Sequence, residues 1–160
     1  MNVGFFRHGI AVPSGTRGVA EADRPLTSGG RKKTARAARG LRRLDLGFDA
    51  IYTSPLKRAI QTAEILAATL RLGKPEVLEA LLPGTPGSHL LREVRNLGKG
   101  SPILVGHEPQ LSATISTAIC GVAKASVEMK KAGLAVVDLG PSSAVLRLLL
   151  TPGALRKLGS

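Results

Sequence analysis

Two histidines and two arginines fall at positions from which they could handle a phosphoryl group. Arg7-His8-Gly9 follows a short apolar run, Arg58 closes Ser54-Pro55-Leu56-Lys57-Arg58 after a second run, and His107 lies in Gly106-His107-Glu108 after a third. Ligands of open α/β sheets bind beyond the C-terminal ends of the strands, so if the three runs are neighbouring parallel strands, the four side chains meet at one edge. A neutral imidazole, with an ordinary pKa of about 6.5, is nucleophilic near neutral pH and can attack phosphorus to give a covalent phosphoramidate. Forked guanidinium donors offset charge on the equatorial phosphoryl oxygens, and a protonated second histidine can assist. The scheme calls for no metal and no cofactor.

The elements that must position these residues are legible from periodicity. Val3 to Phe6 reads as a buried strand, and Ala11 to Gly30 is irregular until Thr27 or Ser28 offers an N-cap. Gly30 to Leu46 is helical, with Thr34, Ala38, Leu41 and Leu44 marking its buried face. Lys32, Arg36, Arg39 and Arg43 fall on its opposite side, which predicts a solvated basic face or a docking face for an acidic partner. Phe48 to Thr53 is a second strand, after which Ser54-Pro55 opens a helix with Pro55 in its first turn. Ala59, Ala63, Leu66, Ala67 and Leu70 supply that helix's apolar face, and Gly73 ends it. Glu76 to Leu81 reads as a short third strand, and the loop Pro83 to Gly87 leads to a helix over Ser88 to Leu97. A strand over Ile103 to Val105 precedes a helix reaching about Cys120. Leu134 to Leu139 and Ala144 to Leu150 flank Gly140-Pro141-Ser142-Ser143 as a hairpin. The alternation predicts one α/β domain over residues 1–160: three layers, a mostly parallel central sheet flanked by helices, and an antiparallel pair near the C-terminus.

Composition narrows the classes. The 160 residues carry 23 Lys+Arg against 11 Asp+Glu, a net charge of +12 that calls for anionic partners. Only 2% of residues are aromatic, with no Trp, so the stacking platforms of single-strand nucleic-acid binders are missing. The single cysteine, Cys120, excludes an intramolecular disulfide and reads as a small core hydrophobe. The N-terminus lacks the pattern of a signal peptide, and no apolar stretch approaches the roughly 20 residues of a membrane span, so a cytoplasmic location is expected. His89 matches no motif, and Gly98-Lys99-Gly100-Ser101 lacks the full spacing of a phosphate-binding loop and reads as a turn.

Taken in order, Phe6-Arg7-His8-Gly9, Thr53-Ser54-Pro55-Leu56-Lys57-Arg58-Ala59-Ile60-Gln61-Thr62-Ala63 and Val105-Gly106-His107-Glu108-Pro109 resemble the three motifs of the histidine phosphatase, or phosphoglycerate mutase-like, superfamily. The short length and Asp23-Arg24-Pro25-Leu26-Thr27 are most similar to the compact SixA-type phosphohistidine phosphatases, although His107-Glu108-Pro109 stands where that group usually shows His-Asn-Pro. The resemblance implies His8 as nucleophile, with Arg7, Arg58 and His107 forming the phosphate pocket. It also implies a covalent phosphohistidine intermediate and no cofactor.

Members that cleave phosphomonoesters usually supply a carboxylic acid from the segment after the third strand. Here Leu81 to Ser88 holds no Asp or Glu. An alkoxide leaving group needs that proton, whereas imidazole departs with much less help, so the gap favours a P–N substrate on a phosphorylated protein, such as a histidine-containing phosphotransfer domain. Glu79, Glu108 and Asp23 remain candidate acids. Two other readings stay open: a phosphatase of small phosphate monoesters, and a non-catalytic basic module that binds nucleic acid or an acidic protein.

Overall fold

The computed structural model describes residues 1–124 and 126–160. One six-stranded sheet forms its centre, in the order β3-β2-β4-β1-β5-β6, with β1 Asn2–Arg7, β2 Ala50–Thr53, β3 Glu76–Val77, β4 Pro102–Gly106, β5 Leu134–Leu139 and β6 Ala144–Leu150. β1 to β4 run parallel, whereas β5 is antiparallel to both β1 and β6. The helices are α1 Ser28–Leu44, α2 Lys57–Leu70, α3 Gly87–Asn96, α4 Gln110–Cys120 and α5 Pro152–Leu158.

Alternation along the central strands builds two cores. Phe6, Ile103 and Val105 pack with Ala37, Leu41, Ala63 and Leu66 beneath α1 and α2. Val3, Phe5 and Leu104 pack with Leu90, Val94, Leu111 and Ile115 beneath α3 and α4. Because β1 and β4 bury both faces, they read as continuous apolar runs, which is why the sequence exposes them so clearly.

Several elements differ from the sequence expectation. The first helix spans Ser28–Leu44 rather than Gly30 to Leu46: Thr27 caps it by accepting from the Gly30 N–H at 2.9 Å, and Asp45 ends it in the left-handed conformation. Pro55 is not in the first turn of α2. Ser54 to Leu56 form a separate turn in which the Leu56 N–H donates to Ser54 Oγ at 3.3 Å, and the helix starts at Lys57. The third strand is only Glu76–Val77, because the chain then winds into a 3₁₀ turn at Glu79–Leu81. Cys120 is exposed: the buried side of α4 runs through Leu111 and Ile115, and a residue five positions beyond Ile115 has rotated off it.

The sequence reading also missed α5, with consequences for α1. Arg36 Nε donates to Arg156 O at 3.0 Å, Arg39 Nε to Gly159 O at 3.3 Å, and Arg43 Nη1 to Leu158 O at 2.5 Å. Three of the four cations expected on a solvated or docking face thus cap the C-terminal carbonyls of a neighbouring helix, where positive charge is stabilising. The helices approach closely at Gly40 and Gly159, where a Cβ would collide with Leu155 O and Arg36 O respectively. No helix among the described residues is long and apolar enough to cross a membrane.

Candidate active site

The strand order delivers the expected convergence. β4 lies between β1 and β2 in parallel register, with Arg7 opposite Gly106 and Thr53 opposite Val105. His8, Ser54 and His107 are therefore each the first residue beyond three adjacent strands. The His8 N–H donates to Gly106 O and the Ser54 N–H to Val105 O, both at 3.0 Å. The rings of His8 and His107 lie 5.0 Å apart, centroid to centroid, and Arg58 enters the same space from the first turn of α2.

His8 is buried, and its Nδ1–H donates to the Gly9 carbonyl at 2.7 Å. A carbonyl can only accept, so the neutral ring carries its proton on Nδ1 and its lone pair on Nε2. Burial pulls the His8 pKa down to about 4, opposed by the Gly9 hydrogen bond and reinforced by Arg58, Arg7 and Lys131. Gly9 is held in turn, its N–H donating to Thr62 Oγ1 at 3.0 Å while the Thr62 hydroxyl donates to Arg58 O at 2.7 Å. A Cβ on Gly9 would strike the Thr34 hydroxyl, so the turn after His8 requires glycine.

His107 is held by the first residue beyond β2. Ser54 Oγ accepts from the Leu56 N–H at 3.3 Å and shares a hydrogen bond of 2.9 Å with His107 Nε2. Nδ1 of the same ring is buried and has no protein partner. Burial first, then His8 and the arginines, push the His107 pKa down to about 3. The second histidine, expected in its protonated form, is therefore neutral here and offers one N–H rather than a full charge.

The arginines are anchored at one end and unsatisfied at another. Arg7 Nη1 donates to Met129 O at 2.8 Å and Arg58 Nη1 to Glu21 O at 3.0 Å, while Nε of each is buried without a partner. Burial lowers the Arg58 pKa from its ordinary value. All four residues line one cavity of about 400 Å³, together with Glu21, Arg24, Leu56, Pro83, Glu108 and Lys131. Nε of Arg7, Nε of Arg58 and Nδ1 of His107, on three residues that line this cavity, are thus buried without a protein partner, which is costly for such groups.

Residues 3–82 match the family model of the histidine phosphatase superfamily, branch 1. An uncharacterized protein of Picosynechococcus sp. is 39% identical over 137 residues, covering 84% of this chain and 82% of its own. This chain belongs to the histidine phosphatase superfamily. Its fold is shared with the protein histidine phosphatase SixA complexed with tungstate, at a TM-score of 0.86 and 24% identity over 97% of this chain and 99% of that one. The alpha-ribazole phosphatase from Shigella flexneri follows the same fold at a TM-score of 0.75 and 18% identity, over 95% and 97% of the two chains.

The superfamily match ends at residue 82, and His107, beyond it, is brought to the site by the pairing of β4 with β1 and β2 and by its contact with Ser54. Of the candidate acids, Glu108 lines the cavity, whereas Glu79 and Asp23 are exposed and outside its lining. His89 sits on α3 against Arg92, with Nη2 at 2.9 Å from Nδ1, and is also outside it. The 98–101 segment is a turn tied down by Ser101 N–H donating to Asp49 Oδ1 at 2.9 Å. Among the described residues, no group of three or more His, Cys, Asp or Glu could hold a metal ion.

Sequence reasoning gave no role to Ser54, Thr62, Arg24, Glu21 or Lys131. Ser54, Thr62 and Arg24 sit inside recognised motifs, which was signal enough to ask what they do. Glu21 and Lys131 had no local signal. Glu21 binds Arg24 at 2.6 and 2.9 Å and accepts from Ser14 at 2.8 Å, and these bonds pull its pKa down to about 2.

Proposed function

We propose that the chain is a phosphatase that takes a phosphoryl group onto His8 Nε2 and releases it to water, with phosphohistidine on a protein as its substrate. The observation that carries this reading is that His8, whose lone pair lies on Nε2, lines the same cavity as Arg7, Arg58 and His107, whose Nε, Nε and Nδ1 atoms have no protein partner. Nε2 attacks phosphorus, and the P–N bond of the substrate breaks with its electron pair going to the departing imidazole. The phosphorylated His8 ring keeps its Nδ1–H on the Gly9 carbonyl, which steadies the positive charge it acquires. Water then attacks phosphorus, the enzyme's own P–N bond breaks back onto Nε2, and the water's proton leaves with phosphate. The arginines and His107 stabilise the charge on the equatorial oxygens in both steps.

A P–N substrate is favoured by the absence of any carboxylate between Leu81 and Ser88, since imidazole is a far less basic leaving group than an alkoxide. The likeness in fold to the protein histidine phosphatase SixA points the same way. The chain between Leu72 and Ser101 folds into β3, a 3₁₀ turn and α3 without a long insertion, which suits a phosphorylated side chain presented on a protein surface. The nucleic-acid reading loses support, because Arg36, Arg39 and Arg43 are engaged by α5. A phosphohistidine-bearing protein should be dephosphorylated, leaving an acid-labile phosphate on His8 in a rapid quench. The His8→Ala variant should lose both turnover and label; retained turnover would overturn the mechanism.

A further inference from the structure

Three arginines line the cavity, and one of them is engaged within the protein. Arg7 and Arg58 each keep a buried Nε without a protein partner, whereas all three nitrogens of Arg24 donate to protein oxygens. Nε gives to Glu21 Oε2 at 2.9 Å, Nη2 to Glu21 Oε1 at 2.6 Å and Nη1 to the Val12 carbonyl at 2.7 Å. Glu21 is itself held by Ser14 and Arg58. Ser14 Oγ donates to Oε2 at 2.8 Å, Arg58 Nη2 stands 3.5 Å from Oε1, and Arg58 Nη1 donates to the Glu21 backbone carbonyl at 3.0 Å. We infer that Glu21 determines specificity at this site: by engaging Arg24, it keeps the cavity from binding a second anionic group beside the phosphoryl group. The substrate class is then a phosphorylated side chain whose α-carboxyl is tied up in a peptide bond, rather than a free phosphorylated amino acid or hydroxy acid.

This role rests on the phosphoryl-transfer reading above and narrows its substrate. A guanidinium fork is a preferred partner for a carboxylate, and Glu21 already supplies one from within the chain. A substrate carboxylate must displace Glu21 from Arg24 or lie beside a like charge. The hydrogen bonds from Arg24 and Ser14 pull the Glu21 pKa down to about 2, so the competing group stays an anion near neutral pH. Arg24 is close enough to the reacting groups to matter: after burial, its charge is the next cause that lowers the Arg58 pKa, and it joins burial, His8 and Arg58 in lowering that of His107. Removing the Glu21 side chain frees the fork without releasing the loop that carries it. The base of that loop is closed by the Val12 N–H on Pro25 O at 2.9 Å, the Thr27 N–H on Ile10 O at 3.0 Å and the Leu26 N–H on Gln61 Oε1 at 2.8 Å. Lys131, the remaining cation of the lining, is exposed and forms no salt bridge among the described residues, so its pull on an anion does not pass through Glu21.

Calorimetric titration of the full chain with two inert probes that differ by one carboxylate, methylphosphonate and phosphonoacetate, tests this directly. Glu21→Ala frees two nitrogens of Arg24 and should tighten phosphonoacetate about tenfold more than methylphosphonate, the low end for a hydrogen bond between charged groups. The difference should disappear when Arg24→Ala is added and persist when Lys131→Ala is added instead. In turnover, Glu21→Ala should lower KM for free phosphohistidine relative to phosphohistamine, its analogue without the carboxylate, while kcat for the two changes in parallel. Equal tightening of both probes would show that Glu21 acts only through its field, and equal weakening that it only holds the loop. A gain that survives Arg24→Ala would assign the carboxylate to another cation. Each of these overturns the proposal, as does methylphosphonate binding to neither parent nor variant. Failure of the His8 reading looks different: no acid-labile phosphoenzyme forms from any substrate, while the two phosphonates are still told apart.

Discussion

Two sets of arginines account for much of what is unusual about this chain, and they do opposite things. Arg36, Arg39 and Arg43 line one face of α1 at helical spacing and donate to the carbonyls that end α5. Arg7 and Arg58 are far apart in sequence, yet both line one cavity, and each is anchored through Nη1 to a backbone carbonyl and keeps a buried Nε–H unpaired. The first set is conspicuous in sequence and structural in effect. The second is sparse in sequence and buried with donors to spare. Positive charge alone does not separate the two; burial does, because the exposed guanidiniums of α1 complete their hydrogen bonding with water, whereas a buried donor without a partner cannot.

That contrast can be broken by experiment, and the largest effect should come from the cavity. Replacing Arg58 with Ala removes a preorganised donor at the transferring group and should lower kcat by about 10²- to 10³-fold. A loss no greater than that of Arg39→Ala would erase the distinction between the two sets. Acid should act next. With folded pKa values of about 4 for His8 and about 3 for His107 against 6.5 unfolded, the folded state binds fewer protons, so stability rises with pH across that interval. Both rings therefore contribute stability in full above about 6.5, losing it as pH falls toward 4 and then 3. Denaturant midpoints should decline over that window, while kcat/KM for phosphohistidine should hold down to about pH 5 and fall as His8 protonates. An activity limb centred at an ordinary histidine pKa would show that the burial argument fails.

A smaller loss is expected at Ser54. Its hydroxyl holds His107 through Nε2 at 2.9 Å, so Ser54→Ala releases the ring from its position. Loss of a hydrogen bond worth about 1 to 1.5 kcal/mol should lower kcat roughly five- to tenfold, without changing the pH at which His8 protonates. The smallest catalytic effect belongs to the basic face of α1. Arg36→Ala, Arg39→Ala and Arg43→Ala should each cost about 0.3 to 1 kcal/mol of stability in chemical denaturation and leave kcat unchanged. A change in KM for a phosphorylated protein without a change in stability would instead restore the docking role that the α5 contacts argue against.

How much could be read in advance depended on the range of the interaction. Arg7, His8, Arg58 and His107 were legible because each lies just after a short apolar run, and a strand buried on both faces announces itself as such a run. Thr27, one of the two N-caps read from the sequence, does cap α1, whereas its C-terminal end was placed two residues late because Asp45 stops the helix through left-handed cap geometry rather than periodicity. The third strand was read too long because Glu76 to Leu81 has the composition of a strand, while only Glu76 and Val77 find partners on β2. Cys120 was placed in the core on residue type, whereas helical phase puts it in solvent. α5 is only seven residues long and lacks a long periodic signal.

By itself, the sequence determined the α/β alternation and the three strand-end motifs, since these follow from local periodicity and from residue type. Tertiary structure decided the rest. Placing β4 between β1 and β2 brings residues 8, 54 and 107 to adjacent strand ends. The Gly9 carbonyl fixes the His8 tautomer, the Ser54 hydroxyl holds His107 through Nε2, and burial lowers the pKa of both rings. Folding α5 against α1 turns an apparent polyanion-binding face into a helix cap. Each outcome depends on groups distant in sequence meeting with hydrogen-bond geometry, and a linear pattern of residue types does not specify that geometry.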